Sequence, residues 1–228
     1  EGAQELFDLL PHEEIAADSL ASFVGAGRFS DRKLYKVVFR EADMVVSKDS
    51  GSSFQLQEYY EHPERYEGVF EQYLSHLTTL VNCIYWDERY PKLVTKEWLR
   101  RTWAGARRPK LCVIGDITCD VGGSIECTVQ ATEPGNPNYT YLPADGSVVD
   151  GWEGEGPVIM AVDTLPSEVP RESSADFGDM LIPYMPAIAA ADFGVPFGDL
   201  VLPAPIKRAV VVHNGEFTPD YQYMSKFV

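Results

Sequence analysis

The stretch Lys110–Ile117, KLCVIGDI, decides the fold class of this chain. It is a short, near-continuous apolar run with an acid close to its end, and Thr78–Tyr85, TTLVNCIY, has the same character. Runs of this kind are typical of strands that helices cover on both faces. A predicted helix, Thr95–Trp103 with Thr95 as its N-cap, lies between the two runs, and a third run follows at Val158–Val162. The alternation of strand and helix predicts an α/β fold with a parallel sheet built from βαβ units.

Shorter elements are predicted on either side of these three strands. Residues Gln4–Leu10 carry leucines at helical spacing, and Pro11 ends that helix. Pro63 suits the first turn of a helix Pro63–Leu74, because its missing N–H costs nothing there. The remaining predicted elements are a strand Glu14–Ala17, a helix or turn Asp18–Val24, strands within Tyr35–Phe39 and Met44–Val46, a loop Asp49–Ser53, a loop region Glu133–Gly156 with one exposed hairpin around Tyr139–Leu142, a helix Pro170–Ala191, a strand Arg208–His213 and a helix Pro219–Phe227.

The composition is that of a globular chain with an acidic surface. The 228 residues carry a formal net charge of −16, and 45% of them are hydrophobic. Such a charge repels nucleic-acid phosphate and anionic lipid, so neither a nucleic acid nor a membrane is expected as a partner. No run of about 18 apolar residues is present, so no membrane-spanning helix is expected. No secretory signal opens the sequence.

The four cysteines do not form a recognisable metal site. None lies in a CxxC pair and no histidine stands at metal-ligand spacing from them, so no metal is expected. Cys83 and Cys112 lie within predicted strands and are expected to be buried and reduced, which indicates an intracellular compartment. The histidines are scattered along surface-like sequence, so none is expected to be catalytic.

Polar residues follow three of the predicted strands, where ligands of open α/β sheets bind. The first group is Asn82–Trp86, the second runs from Asp116 through Asp120 into a Gly-Gly-Ser turn, and the third begins at Asp163. An acid such as Asp120 could pair with a substrate ammonium or a ribose hydroxyl, or it could only close its turn through an Asx hydrogen bond; the residues leave this open. Asp163 is equally open between a ligand contact and a turn acid, and Tyr85 between ring stacking and edge packing.

Gly2 stands directly before the first predicted helix. It would suit the last glycine of the turn that opens a Rossmann domain, packed close against the sheet. The first strand of that domain and the other glycines of the turn would then precede residue 1. The residues alone therefore predict an α/β chain that binds a nucleotide.

One segment carries a family resemblance, and five others share it. GDITCDVGGSIE, Gly115–Glu126, resembles the reductase part of bifunctional lysine-ketoglutarate reductase/saccharopine dehydrogenase, also called aminoadipate-semialdehyde synthase. That family belongs to the alanine dehydrogenase-like superfamily. The other segments are EGAQELFDLLPHE (Glu1–Glu13), YYEHPERYEGVF (Tyr59–Phe70), NCIYWDERYPKLVT (Asn82–Thr95), AVDTLPSEVPRESSADFGDMLIPY (Ala161–Tyr184) and KRAVVVHNGEFTPDYQYM (Lys207–Met224).

The resemblance implies an architecture in which a Rossmann domain is inserted into a second domain. Residues 1–170 would form the NAD(P)-binding Rossmann-like domain, without its first strand and most of its glycine-rich turn. Residues 171–228 would return to a second α/β domain that binds substrate. The family's catalytic lysine and histidine lie in an N-terminal half that has no counterpart here, so no catalytic residue is expected within these 228 residues.

The resemblance also implies site residues at the three strand ends. Thr118, Cys119 and Asp120 would contact the amino-acid substrate. NAD-dependent relatives hold the adenosine ribose with an acidic residue. The corresponding position here is Ala16, with Asp18 two residues on, and the absence of an acid at that position favours NADP over NAD. The positions implied to contact the cofactor are Gly2, Tyr85, Ile117, Val162, Asp163, Thr164 and Leu165.

The implied activity is NAD(P)H-dependent condensation of L-lysine with 2-oxoglutarate to saccharopine, a step of lysine degradation. The partners would be those small molecules, together with a second copy of the chain or a covalently linked saccharopine dehydrogenase domain. The compartment would be the cytoplasm or the mitochondrial matrix. Two alternatives stand beside this interpretation: a non-catalytic Rossmann-like subunit, and an alanine dehydrogenase-like enzyme that acts on a smaller amino acid.

Overall fold

The computed structural model describes residues 2–105 and 108–227. The chain divides into two compact units, Glu1–Leu165 and Pro166–Val228. The first unit contains the sheet predicted from the apolar runs, and the second contains three helices and a short hairpin. The assignment of residues 171–228 to a substrate-binding domain stays a prediction.

The central feature of the first unit is a five-stranded sheet. Its strands are β5 (Thr79–Asn82), β6 (Val113–Asp116), β7 (Asn138–Tyr141), β8 (Val148–Asp150) and β9 (Val158–Met160), in the spatial order β5-β6-β9-β7-β8. Strands β5, β6 and β9 are parallel, whereas β7 runs antiparallel to both β9 and β8. The predicted α/β class with a Rossmann-type, mostly parallel sheet is confirmed.

The apolar runs form strands because the sheet is buried where they lie. Ile114 of β6 and Ile159 of β9 are register partners and are fully buried. Helix α6 (Lys96–Trp103) joins β5 to β6 and buries Trp98 and Leu99. Its first turn is closed as predicted, since the hydroxyl of Thr95 accepts a hydrogen bond from the Trp98 amide at 3.1 Å.

The chain before β5 forms smaller pieces of structure. Strands β1 (His12–Glu14) and β2 (Leu34–Lys36) make a parallel pair, and β3 (Val45–Ser47) and β4 (Tyr66–Gly68) make an antiparallel pair. The helices of this region are α1 (Gly2–Asp8), α2 (Leu20–Ala26), α3 (Glu41–Met44), α4 (Leu56–Glu61) and α5 (Glu71–Leu74). The predicted first helix is confirmed, and the predicted strand Glu14–Ala17 begins two residues earlier than expected and ends at Glu14.

The predicted helix Pro63–Leu74 is wrong. The segment forms a 3₁₀ turn at Pro63–Arg65, then β4, then α5. β4 pairs with β3 instead, so its backbone hydrogen bonds go to a separate segment of the chain. Gly68 of β4 allows Pro91 to approach the strand closely, because a Cβ atom at position 68 would lie 2.7 Å from the Cβ of Pro91.

The hairpin predicted around Tyr139–Leu142 is present as β7 and β8, but the expected exposure is wrong, because its first strand is part of the core. Tyr139 and Tyr141 are 0% and 1% exposed, and β7 is hydrogen-bonded between β9 and β8. The Tyr139 hydroxyl donates to the Cys127 carbonyl at 2.9 Å and accepts from the Val129 amide at 3.0 Å. These partners, supplied by a loop, allow a polar aromatic residue to be buried.

Two cysteines that were expected to be buried are exposed. Cys83 and Cys112 lie just outside β5 and β6, which are shorter than the apolar runs, whereas Cys127 is buried. None of the four cysteines forms a disulfide in the described residues. Within the same residues no helix is long and apolar enough to cross a membrane.

The second unit contains α7 (Pro170–Leu181), α8 (Met185–Ala190) and α9 (Ala204–Arg208), followed by the hairpin β10 (Val212–His213) and β11 (Glu216–Phe217) and a 3₁₀ segment Pro219–Phe227. The predicted helix Pro170–Ala191 is interrupted by a 3₁₀ turn at Ile182–Tyr184, where Pro183 lacks an N–H to donate. The predicted strand Arg208–His213 is wrong except for its last two residues, since Arg208 ends α9.

Candidate functional site

The carboxyl ends of β5 and β6 hold a pair of buried polar residues. Asn82 and Asp116 are register partners at 2% and 1% exposure. The Asn82 amide nitrogen donates to the Asp116 Oδ1 atom at 2.8 Å and to the Ser124 hydroxyl at 3.0 Å. The Thr128 hydroxyl donates to the other oxygen of Asp116 at 2.5 Å. The carboxylate therefore joins two strands and the loop that follows β6.

The amide oxygen of Asn82, unlike its amide nitrogen, is unsatisfied. It is buried and has no hydrogen-bond partner among residues 2–105 and 108–227. An unsatisfied buried amide oxygen costs free energy, so such groups mark sites of water, ligand or strain. The strand ends thus carry an acceptor that no described protein group satisfies.

The loop after β6 is held tightly against β5. The Ile117 amide donates to the Asn82 carbonyl at 2.9 Å, and the Thr118 hydroxyl donates to the Ile84 carbonyl at 2.8 Å. Cys119 adopts a left-handed conformation with φ of 58°, which is uncommon for a residue other than glycine. Such local strain is frequent in binding loops.

The turn at Asp120 is closed by the backbone. The Gly123 amide donates to the Asp120 carbonyl at 2.8 Å, and a Cβ atom on Gly123 would lie 2.6 Å from the Asp120 Cβ. The Asp120 carboxylate has no hydrogen bond to any described residue, and the residue is exposed. The Asx hydrogen bond that could have explained this acid is therefore not made, and the carboxylate faces solvent.

The thiol of Cys119 lies within the electrostatic influence of three acidic residues. Burial raises the pKa of Cys119, and the charges of Asp116, Asp163 and Asp120 raise it further. Because the charge of Asp163 acts on Cys119, the third strand end lies close to the loop after β6. The resulting negative field favours a cationic group and keeps the thiol protonated.

The residues predicted to contact a cofactor differ in accessibility. Tyr85 is 79% exposed and Ile117 is 38% exposed, so both present apolar surface at the strand ends. Asp163 and Thr164 are exposed, and Leu165, which begins a 3₁₀ turn, is half-buried. The side chain of Val162 is in the core at 3% exposure, so this position could contact a ligand only through its backbone.

Gly2 has open surroundings, whereas Trp86 is engaged in hydrogen bonds. A Cβ atom on Gly2 would meet nothing within 4 Å, so the close packing expected of a final turn glycine is not seen within the described residues. The Trp86 indole donates to the carbonyls of Tyr90 and Pro91, both at 3.1 Å. Trp86 therefore helps to hold the loop after β5.

The structure also contains a cleft that the sequence did not predict. A cleft of about 570 Å³ lies beside the end of β5. It is lined mainly by aromatic and aliphatic side chains and by one carboxylate: Glu41, Met44, Val45, Tyr59, Tyr60, Cys83, Ile84, Tyr85, Trp86, Tyr90, Pro91 and Leu93. The lining residues come from several separate segments, so no local sequence pattern indicates the cleft. Asn82 and Asp116 were both placed at strand ends, but their contact was not predicted for a related reason, because it depends on strand register.

The fold and the strand-end site agree with the comparison to known families. The family described as "Alanine dehydrogenase/PNT, C-terminal domain" matches residues 64–220. The chain belongs to this family, whose domain has a dinucleotide-binding fold. The match includes β5, β6 and β9 and the polar residues at their ends.

Several individual proteins are similar to this chain. Alpha-aminoadipic semialdehyde synthase of Arabidopsis thaliana is 37% identical over 99% of the chain, which corresponds to 21% of that protein. The mitochondrial alpha-aminoadipic semialdehyde synthase of Bos taurus is 32% identical over 99% of the chain and 25% of its own length. Saccharopine dehydrogenase [NAD(+), L-lysine-forming] of Emericella nidulans is 30% identical over 51% of the chain and 29% of its own length. The chain thus spans a quarter or less of the semialdehyde synthases that it matches.

Proposed function

We propose that this chain forms the nucleotide-binding part of an NAD(P)H-dependent oxidoreductase that joins L-lysine and 2-oxoglutarate into saccharopine in lysine degradation. The proposal is supported by similarity over 99% of the chain to two alpha-aminoadipic semialdehyde synthases. The observation that carries it is the free carboxylate of Asp120, held at the end of a parallel strand by a rigid turn, beside Thr118 and Cys119.

The residues at the strand ends fit a dinucleotide. Exposed apolar surface on Tyr85 and Ile117 would contact flat rings, and the backbone from Val162 to Leu165 would border the cofactor from the neighbouring strand. Bound NAD(P)H supplies the hydride that reduces the imine formed from the lysine ε-amine and the keto group of 2-oxoglutarate. The proposed cofactor is NADP rather than NAD, because Ala16 occupies the position at which an acid would repel a 2′-phosphate.

The substrate residues of this proposal are Thr118, Cys119 and Asp120. The carboxylates of Asp116, Asp120 and Asp163 give this edge a negative field, which would hold the ammonium group of an amino acid. The hydroxyl of Thr118 is already engaged with the Ile84 carbonyl, so its role is to fix the loop. Correct placement of the reacting carbon relative to the hydride is the protein's main contribution to the rate.

The test is replacement of Asp120 in the intact protein that contains this chain. We expect Asp120→Ala and Asp120→Asn to lower the rate of saccharopine formation by at least about 100-fold, while the Kd for NADPH, measured by nucleotide fluorescence, changes by less than about 3-fold. Glu153→Gln, at an exposed acid elsewhere in the same unit, is the control. Equal losses in rate and NADPH affinity would remove Asp120 from the substrate site.

The same measurements separate the alternatives. An alanine dehydrogenase-like enzyme would oxidise small amino acids and would not consume 2-oxoglutarate together with lysine. A non-catalytic subunit would bind neither NADPH nor NADH. The intact mass of the native protein would show what accompanies the chain, including a saccharopine dehydrogenase domain or a second copy, and fractionation would distinguish cytoplasm from mitochondrial matrix.

A further inference from the structure

The aromatic cleft beside the end of β5 has the features of a ligand site with its own chemistry. Among the described residues, Glu41 is the only charged one in its lining. The walls include the rings of Tyr59, Tyr60, Tyr85 and Tyr90. A negatively charged group surrounded by aromatic faces attracts an organic cation and disfavours an anion.

Tyr59 offers a second polar group in the cleft lining, beside Glu41. Its side chain is only 6% exposed, and its ring packs edge-on against Tyr90 at a centroid distance of 5.2 Å. Yet its hydroxyl makes no hydrogen bond with any described residue. By contrast, the hydroxyl of the neighbouring Tyr66 donates to Glu58 at 2.8 Å. The Tyr59 hydroxyl is not among the buried atoms that lack a partner, so it is open to the cleft and free to bond a ligand there.

Glu41 is held in place but not neutralised. The Tyr60 hydroxyl donates to its Oε1 atom at 2.9 Å. No lysine, arginine or histidine among the described residues forms an ion pair with Glu41. Burial raises the pKa of Tyr59 to about 12, and the nearby Glu41 charge contributes to this shift, so the Tyr59 hydroxyl stays protonated and neutral.

Two rings of this cleft contact cations that do not line it. The Arg89 guanidinium lies 5.5 Å from the centroid of Tyr90, and the Lys92 ammonium lies 5.8 Å from that of Trp86. Both cations are paired with carboxylates of their own, Asp87 and Glu126, outside the cavity lining. The charge of Glu41 inside the cleft is therefore left for a ligand.

The geometry points to a binding site for a primary alkylammonium group in this cleft. One N–H donates to the free oxygen of Glu41, a second donates to the Tyr59 hydroxyl oxygen, and the alkyl chain lies against Met44, Val45 and the tyrosine rings. A quaternary ammonium would satisfy the charge but not the Tyr59 hydroxyl, and a neutral alcohol would satisfy neither fully. This assignment requires no cofactor, although the cleft shares Tyr85 with the surface proposed above to contact NAD(P)H.

The test is calorimetric titration of the full chain with n-butylammonium chloride, with n-butanol and tetramethylammonium chloride as matched probes. We expect n-butylammonium to bind at least about 10-fold more tightly than n-butanol and about 3-fold more tightly than tetramethylammonium. These comparisons need no variant, so they stand even if a substitution unfolds the chain. Equal binding of n-butanol and n-butylammonium would reduce the cleft to an apolar cavity and overturn the assignment.

Variants then locate the contact. Glu41→Gln is expected to weaken n-butylammonium binding at least about 10-fold, and Tyr59→Phe, which keeps the ring, about 3- to 5-fold. Glu67→Gln, at an exposed acid of β4 outside the cleft, should leave the affinity unchanged. Unchanged affinity in a folded Glu41→Gln chain, with folding checked by circular dichroism, would overturn the assignment. Displacement of n-butylammonium by adenosine from that same variant would assign the cleft to a purine ring instead.

Discussion

The amide of Asn82 and the carboxylate of Asp116 meet at 2.8 Å across two parallel strands, and both residues are buried. Asn82 also reaches Ser124, so one side chain ties together β5, β6 and the loop after Asp120. The buried carboxylate is held only by neutral donors from Asn82 and Thr128 in the described chain. The stability of the fold around Asp116 therefore depends on each of these hydrogen bonds.

Asn82→Ala is expected to lower the free energy of unfolding by about 2–4 kcal/mol, because it leaves a buried carboxylate oxygen and a buried hydroxyl without their donor. Urea unfolding followed by circular dichroism measures this change. Asn136→Ala is the control, because Asn136 is exposed and its side chain has no hydrogen bond in the described structure. A loss below about 0.5 kcal/mol in Asn82→Ala would show that water replaces the amide.

Gly123→Ala is expected to disturb the Asp120 turn. Its Cβ atom would lie 2.6 Å from the Asp120 Cβ and 2.9 Å from the Asp120 carbonyl oxygen, so the turn must open. We expect a loss of stability of about 1–3 kcal/mol and, in the intact protein, slower saccharopine formation. Gly135→Ala is the matched control, because its Cβ would have no neighbour within 4 Å. Equal effects of the two substitutions would argue against a rigid Asp120 turn.

Tyr139→Phe removes two hydrogen bonds from the core and should lower the free energy of unfolding by about 1–3 kcal/mol at neutral pH. Burial raises the pKa of Tyr139 to about 12. The unfolded chain loses this proton near pH 10, so the contribution of Tyr139 is complete below about pH 10 and disappears as the pH rises toward about 12. Chemical denaturation across this range should give a shallower alkaline decline for Tyr139→Phe, whereas Tyr223→Phe, at an exposed ring, should follow the parent chain.

Glu126 anchors the loop after β6 to the start of α6. It accepts hydrogen bonds from the Lys92 ammonium at 2.8 Å and the Lys96 amide at 2.7 Å. Burial opposes ionisation, but these two donors outweigh it and hold the pKa of Glu126 below its ordinary value. A lowered carboxylate pKa stabilises the fold above the unfolded value, near pH 4.3, and the benefit is lost as the pH falls through the folded value.

We therefore expect Glu126→Gln to have a lower Tm than the parent chain at about pH 7. The difference between the two Tm values should shrink below about pH 4. Thermal unfolding at several pH values measures this effect. Glu133→Gln, at an exposed acid without a side-chain hydrogen bond among the described residues, is the comparison. A constant Tm difference across this range would show that the charge of Glu126 is not what matters.

Thiol labelling should separate the four cysteines by accessibility. Cys112 and Cys83 are exposed, and burial raises the pKa of Cys83, so Cys112 should react before Cys83. Cys119 should follow, because burial and three carboxylates raise its pKa. Cys127 is fully buried and should react only on unfolding. Mass spectrometry after timed alkylation measures the order, and early labelling of Cys127 would contradict the packing described around Tyr139.

Local patterns predicted the elements whose stability is local or strongly apolar. The apolar runs around Ile114 and Ile159 indicated buried parallel strands, and Thr95 marked the start of α6. The three strand ends also indicated where polar residues collect. The failures were the strand β4 and the burial of β7. Neither the contact of Gly68 with Pro91 nor the burial of Tyr139 beside Cys127 can be read from neighbouring residues.

The sequence by itself determined that the chain is α/β and that Thr118, Cys119 and Asp120 follow a buried strand, because apolar runs and turn residues act over a few positions. Only the tertiary structure decided that Asn82 meets Asp116, that the Asp120 carboxylate is left without a hydrogen bond in the described chain, and that Glu41 shares a cleft with Tyr59. These relationships depend on strand register and on side chains that approach from distant segments. Hydrogen bonds and packing act through space, so they are specified only when the whole unit has folded.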